Sequence, residues 1–522
     1  SLLNLAMNVR FGKTIYSLIL LLALATILGK PAFFARAQSD EILWGNQVNI
    51  SNSPDETSVD PFLLADPAGV VHLFWAEKVG FSTSNQPDTL LYSQLKGDVW
   101  SKPVDLFFAP PSEGTPQINY PHAVIDQTGR IHLIWLSEPN FPNYALNYSS
   151  ARADQSDKVQ AWTPKKILAD DLTGALYSIH IAYAPPNMLH VIFGRGAQGE
   201  NPQNDRTVAY MRSTDLGKTW SEPKDIFTVP VLTWGASTTR LLFEAPSNVY
   251  AAWSVWDETG IGRRIYFARS LDSGLTWEEP IMLTEKIEGE FERNWSSLAL
   301  LGPHHIMALW EGGYRAYRHA QYSTDGGQTW SEPVDTFPYL IGDNGFVEYV
   351  RDSNDTLHAF LAQRVREGST ASSAITTEAL WHSVWEGGDR WRDPTLATLR
   401  GDILHMTNPK AVIVNGNRVV VTWYQSQIFD VYAMSGVIRN APEIPSIAWA
   451  PPQLDQTQAP SPPPTTEPPI LQTLKPLQET PQILDKSNPT LNPGSNLLLS
   501  LIPAVLVVLF IAAVFLIRSR TS

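Results

Sequence analysis

Arginines, carboxylates and aromatic residues recur at regular intervals along this chain, and several of them could do chemistry. Arg240 and Arg293, with either Arg195 or Arg364, could form a cluster of guanidinium groups. A planar guanidinium pairs with a carboxylate through two parallel hydrogen bonds, so such a cluster suits an acidic or richly hydroxylated ligand. Tyr424 could face the cluster, with Glu311 or Asp257 near by. Glu77, Glu138, Asp257 and Glu311 offer carboxylates that, taken in pairs, could cleave a glycosidic bond; their separation would decide between retention and inversion. Tyr120, Tyr177 and Trp256 supply flat faces with polar edges, on which a sugar or another polar ligand can stack. No HExxH or other compact metal-ligand spacing, no Ser/His/Asp elbow, no phosphate loop and no haem motif is present. No metal and no cofactor is therefore expected.

The elements that must position these residues announce themselves through repetition. Ser213 to Trp220, Ser270 to Trp277 and Ser323 to Trp330 each read Ser-x-Asp-x-Gly-x-Thr-Trp and run on to Glu-Pro. The pattern suits a tight turn between antiparallel strands. Asp215, Asp272 and Asp325 can accept hydrogen bonds from turn amides. Gly217, Gly274 and Gly327 supply a positive φ. Trp220, Trp277 and Trp330 are large enough to anchor each turn against its own sheet. Every one of these roles is structural. The pattern resembles the Asp-box, or BNR repeat, of the sialidase (neuraminidase) superfamily, and that resemblance implies an all-β β-propeller with the boxes between the third and fourth strands of a blade.

A second repeat marks the blades. An apolar strand, usually ending in an aromatic, recurs at Val71–Trp75, Ile131–Trp135, Leu189–Phe193, Val249–Trp253, Ile306–Trp310, Leu357–Leu361 and Val419–Trp423. The spacing of roughly fifty to sixty residues fits a four-stranded blade, which gives a count of seven, with six as the alternative. The last unit lacks a strand that the N-terminal segment Leu43–Ile50 can supply, closing the ring. His72, His132, His190 and His358 share one register of the second strand and read as packing residues. In a propeller the inner strand starts, and the second strand ends, at the face opposite the boxes. That places Asp60, His122, His180, Asn408 and Lys410 with the candidates named above, around a funnel remote from the boxes.

The 522 residues divide by composition: a signal peptide at 1–37, the propeller at 38–440, a Pro-rich disordered linker at 441–496, a transmembrane helix at 497–517 and a cytoplasmic tail at 518–522. Arg518 and Arg520 after the apolar run place the propeller outside the cytoplasm, at the cell membrane. A formal net charge of −14 argues against nucleic acid as a partner, and the absence of cysteine excludes a disulfide framework.

The resemblance also implies a chemistry to look for. Sialidases hold the substrate carboxylate with three arginines and use a tyrosine nucleophile assisted by a glutamate, with an aspartate as acid/base. Their first arginine lies in an Arg-Ile-Pro motif, which this chain lacks; its first inner strand, Asp60-Pro-Phe-Leu-Leu64, has no arginine. The expectation is thus a membrane-anchored, sialidase-like propeller that binds an extracellular glycan, glycoconjugate or other polar ligand. An exo-glycoside hydrolase of sialidase type and a protein-binding surface scaffold are the alternatives.

Overall fold

The computed structural model describes residues 41–53, 56–79, 87–109, 118–140, 143–172, 177–198, 201–284, 293–312, 317–337, 340, 345–366, 375–398, 406–425 and 428–449. All of them belong to the compact unit that ends at Pro451. The expected signal peptide, most of the linker, the transmembrane run and the tail lie outside them. No helix among the described residues is long and apolar enough to cross a membrane.

The fold is an all-β propeller of antiparallel meanders. Each inner strand passes through a tight hairpin to a buried second strand, then a third and a shorter fourth. The N-terminal strand Ile42–Asn49 pairs with Asp430–Ile438, Ile42 opposite Ile438, and completes the last sheet as expected. The expectation of seven separate four-stranded blades, with six as alternative, is corrected. Among the described residues, five sheets hold four or five strands, and a sixth holds eight. The cause is the pair Asp205 opposite Ala236, which runs strand Asn201–Ser213 into Gly235–Glu244 and joins two repeat units edge to edge.

The core lies between neighbouring sheets. The strand-end tryptophans Trp75, Trp135, Trp253, Trp310 and Trp423 are among its largest fully buried side chains. Phe107 of one sheet stacks on Trp135 of the next, 4.4 Å between ring centres. The repeated histidines fill one packing position, each bonded across its own sheet: His72 to Tyr92, His132 to Tyr148, His190 to Tyr210 and His358 to His382.

The three boxes fold as hydrogen-bonded turns. In the second, the Ser270 hydroxyl donates to Asp272 and accepts the Gly274 amide, while the Thr276 amide and hydroxyl donate to the other side of the loop at Asp272. Burial tends to raise the Asp272 carboxyl, but the Thr276 and Ser270 hydrogen bonds outweigh it and hold it at about 2; Asp215 and Asp325 behave alike. The box tryptophan packs on its own sheet and also reaches beyond it. Trp220 packs edge-on against Tyr148, Trp277 against Tyr210 and Trp330 against Phe267, each an aromatic of the preceding repeat unit, at 5.3, 5.0 and 4.9 Å. The box is therefore a joint between units.

Residues 441–449, at the start of the expected linker, run along the hairpins that follow the inner strands. The Ile444 amide donates to Asn415 O, the Ile447 amide to Pro67 O, and Trp449 Nε1 to Asp66 Oδ2 at 3.1 Å.

Candidate functional site on the ring axis

The inner strands Glu56–Ala65, Ile118–Ile125, Gly235–Glu244, Arg293–Gly302 and Met406–Val414 share one irregularity. Register slips between Val59 and Phe62, Asn119 and His122, Ser237 and Arg240, Asn294 and Ser297, and Thr407 and Lys410. Inside each slip a residue adopts the left-handed conformation: Asp60, Tyr120, Thr238, Trp295 and Asn408, with φ between 45° and 53°. Tyr177, just before the strand Ile179–Ala184, does the same with φ 50°. Left-handed backbone costs a non-glycine residue about 1–3 kcal/mol and gathers at functional sites. A bulge re-aims the side chain at that point.

Here the re-aimed side chains meet. Tyr120 and Tyr177 lie 4.5 Å apart, Tyr177 and Trp295 5.5 Å, and Trp295 and Phe346 5.1 Å between ring centres. The Tyr177 hydroxyl donates to Asp60 Oδ1 at 2.8 Å and accepts from Asn408 Nδ2. Burial raises the Asp60 carboxyl to about 6, with the hydrogen bonds from Tyr177 and the Tyr120 backbone pulling the other way. Burial, reinforced by the Asp60 charge, pushes the Tyr177 and Tyr120 phenols well above their ordinary value. Tyr177 is thus held as a phenol, the reverse of an activated nucleophile.

Two or three residues further along the same strands lies a cavity of about 120 Å³, lined by Phe62, His122, His180, Arg240, Glu348 and Lys410 among others. Arg240 sits over the Phe346 ring, 3.3 Å from its centre, and donates from Nη1 to Thr239 O. Lys410 pairs with Glu348. Burial lowers Arg240 to about 10 against the pull of Glu348, and lowers Lys410 as well. Burial, followed by the neighbouring cations, drives His122 and His180 well below their ordinary value, so both are neutral imidazoles at pH 7.

Two of the other candidates border the aromatic cluster and the rest occupy separate surroundings. Tyr424 is near enough to Tyr120 and Tyr177 to influence both, and Trp256 meets Trp295 edge-on at 6.0 Å. Arg293 donates to Arg263 O and neighbours Arg263 and Arg264. Arg195 pairs with Asp225 at 2.7 Å and Asp171 at 3.8 Å. Asp257 ties its own hairpin, accepting from the Thr259 and Ile261 amides and from Arg263 Nε. Glu311 is paired with buried Arg318. Arg364 stands opposite Glu378 of the adjacent strand, and its side chain lies outside the described part, as does that of Glu138. Arg240, Arg293 and Arg195 therefore do not share one set of neighbours.

Glu77 belongs to a different group. It accepts from Ser58 and Ser53 and is hydrogen-bonded to Glu56, whose carboxyl is raised to about 7 by that bond, by burial and by the charges of Glu77 and Asp105. Two carboxyl groups in contact share a proton and leave no room between them for a sugar's glycosidic oxygen. A raised carboxyl favours the folded state below its unfolded value of 4.5, and that contribution is lost as pH rises to about 7. Glu56→Gln is expected to remove this loss. Wild-type minus variant stability, from urea unfolding at pH 4.5 and 7.5, should fall with pH; an equal difference at both would refute the shared proton.

Comparison with known proteins follows the architecture. Residues 148–339, the stretch that holds all three boxes, match the BNR repeat-like domain. With the fold, that match bears out the resemblance to the BNR-repeat β-propellers of the sialidase superfamily. Similar solved structures include a protein of unknown function from Dyadobacter fermentans, 14% identical over 77% of this chain and 100% of that one, TM-score 0.45. A Penicillium chrysogenum alpha-L-arabinanase complexed with arabinobiose is 12% identical over 65% and 98%, TM-score 0.42. Trypanosoma rangeli sialidase in complex with sialic acid is 12% identical over 76% and 60%, TM-score 0.42. No curated protein matches the chain.

Sequence reasoning placed Arg240, Tyr120 and Tyr177 on the axis and missed Trp295, Phe346 and Glu348. An added residue in a bulge inverts the alternation of inward and outward positions, so the sequence points to Arg293 as facing inward in place of Trp295. The only sequence signal for Trp295 is a large aromatic next to the start of an inner strand.

Proposed function

We propose that this chain is a glycan-binding propeller, tethered outside the cytoplasm by the apolar run at 497–517, that receives its ligand at the aromatic mouth of the ring axis. The observation that carries the reading is the convergence of strained, left-handed Asp60, Tyr120, Tyr177, Trp295 and Asn408 on one point. Flat rings beside fixed donors and acceptors match the alternating apolar faces and hydroxyl edges of a sugar ring. The separate surroundings of Arg240, Arg293 and Arg195 support binding over sialidase-type chemistry.

The test is a glycan array followed by calorimetry on the best binder. Tyr120→Ala is expected to weaken binding roughly tenfold, in line with the loss of one stacking face. A folded variant that binds as tightly as the wild type would remove the ligand from this mouth. A second reading, an exo-acting glycoside hydrolase, draws on Asp60, whose carboxyl near 6 suits an acid/base group. It requires turnover of a glycoside that Asp60→Asn abolishes.

A further inference from the structure

The cavity on the far side of the aromatic cluster has a composition the saccharide reading does not use. Its walls bring together two cations, Arg240 and Lys410, two imidazoles, His122 and His180, and one carboxylate, Glu348. Glu348 is taken up by Lys410. Arg240 spends Nη1 on the Thr239 carbonyl, while its Nη2, buried in a residue only 8% exposed, has no hydrogen-bond partner in the chain. Nδ1 of His122, in a residue 4% exposed, and Nδ1 of His180 are buried without a partner as well. The two imidazoles stand side by side, 4.9 Å between ring centres.

A buried polar atom left unpaired costs about 1–3 kcal/mol, and more when the group is charged. Three such atoms around one small space, one of them on a guanidinium, describe a receptor for negative charge. We propose that the cavity binds a single small oxyanion, inorganic phosphate or a one-carbon carboxylate, between Arg240 Nη2 and the imidazoles of His122 and His180. The volume of about 120 Å³ suits such an ion. Asp60, on the aromatic side of the site, is the other acid of the axis; it is engaged with Tyr177 and leaves the guanidinium to the ligand. Binding here would stiffen the axis from within, since Arg240 and Lys410 lie on different inner strands and both lie over the Phe346 ring. The proposal stands apart from the glycan reading, and neither depends on the other.

The experiment uses the purified full chain in detergent, dialysed into a chloride buffer and incubated overnight with sodium phosphate, sodium formate or extra sodium chloride at matched ionic strength. Melting temperature and titration calorimetry are the readouts. Phosphate or formate should raise the melting temperature progressively with concentration, as mass action requires of a ligand that binds only the folded state. The preference between them reports whether the site takes a tetrahedral or a planar oxyanion. Arg240→Met and, separately, His180→Phe should each weaken binding at least tenfold. His180→Phe also keeps the test open if Arg240→Met fails to fold. Equal effects of all three salts on the wild type would overturn the proposal. So would unchanged phosphate or formate affinity in a folded variant.

Discussion

Glu311→Ala should lower stability by about 3–5 kcal/mol, the usual cost of leaving one member of a buried ion pair without its partner. The Arg318 side chain is fully buried, and its Nη2 donates to Glu311 Oε1 at 2.9 Å and to Ala362 O at 2.8 Å. Glu311 and Arg318 face each other on adjacent strands of one sheet, while Ala362 belongs to the next. Arg318 is therefore a cross-sheet fastener, and Glu311 is a carboxylate that helps a buried guanidinium stay there. Denaturant unfolding should show the drop, with ligand binding per folded molecule unchanged. Replacing both partners, as Glu311→Leu with Arg318→Met, should recover most of the loss, because two apolar groups need no counter-charge. A Glu311→Ala variant with wild-type stability would end this account and return Glu311 to the list of functional carboxylates.

The case of Glu311 shows how far register alone can go. It ends a second strand, and strand ends of that kind face the funnel in an ideal blade. Its neighbour across the sheet, Arg318, draws it into the interface between sheets, and nothing in the local sequence distinguishes the two outcomes. Asp257 is similar: an Asp followed by Thr259 and Gly260 is also a hairpin signature, and the hairpin is what it makes. By contrast, the architecture was legible because it is written many times over. The boxes, the aromatic-ended second strands and the N-terminal strand repeat one set of demands, and their roles follow from turn geometry and burial. The axis was legible in part. Inner-strand starts could be located, which brought in Arg240, Tyr120 and Tyr177. The bulges could not, because a one-residue slip has no compositional mark unless the inserted residue is glycine. Fusion of two repeat units into one eight-stranded sheet rests on a single backbone pair, Asp205 with Ala236, which no side-chain pattern encodes.

The box and the repeated histidine, two motifs that look independent in sequence, prove to be halves of one joint, and Gly274→Ala should break it. Gly274 has φ +81°, and a Cβ there would stand 1.9 Å from the Tyr210 hydroxyl of the preceding repeat unit. Tyr210 cannot step aside freely. Its hydroxyl is bonded to His190 and its ring is held edge-on by Trp277. The substitution therefore carries two costs: about 1–2 kcal/mol for left-handed backbone in a residue with a Cβ, and about 1–3 kcal/mol for overpacking a filled interface. Gly260→Ala is the control. Gly260 has a similar φ of +78° but nothing within 4 Å of the added carbon, so it should show the backbone cost alone. If unfolding measurements find Gly274→Ala the more damaging of the two, the excess measures the joint between repeat units. If the two are equal, the box glycine serves only its own turn, and the contact with Tyr210 contributes nothing to holding the ring together.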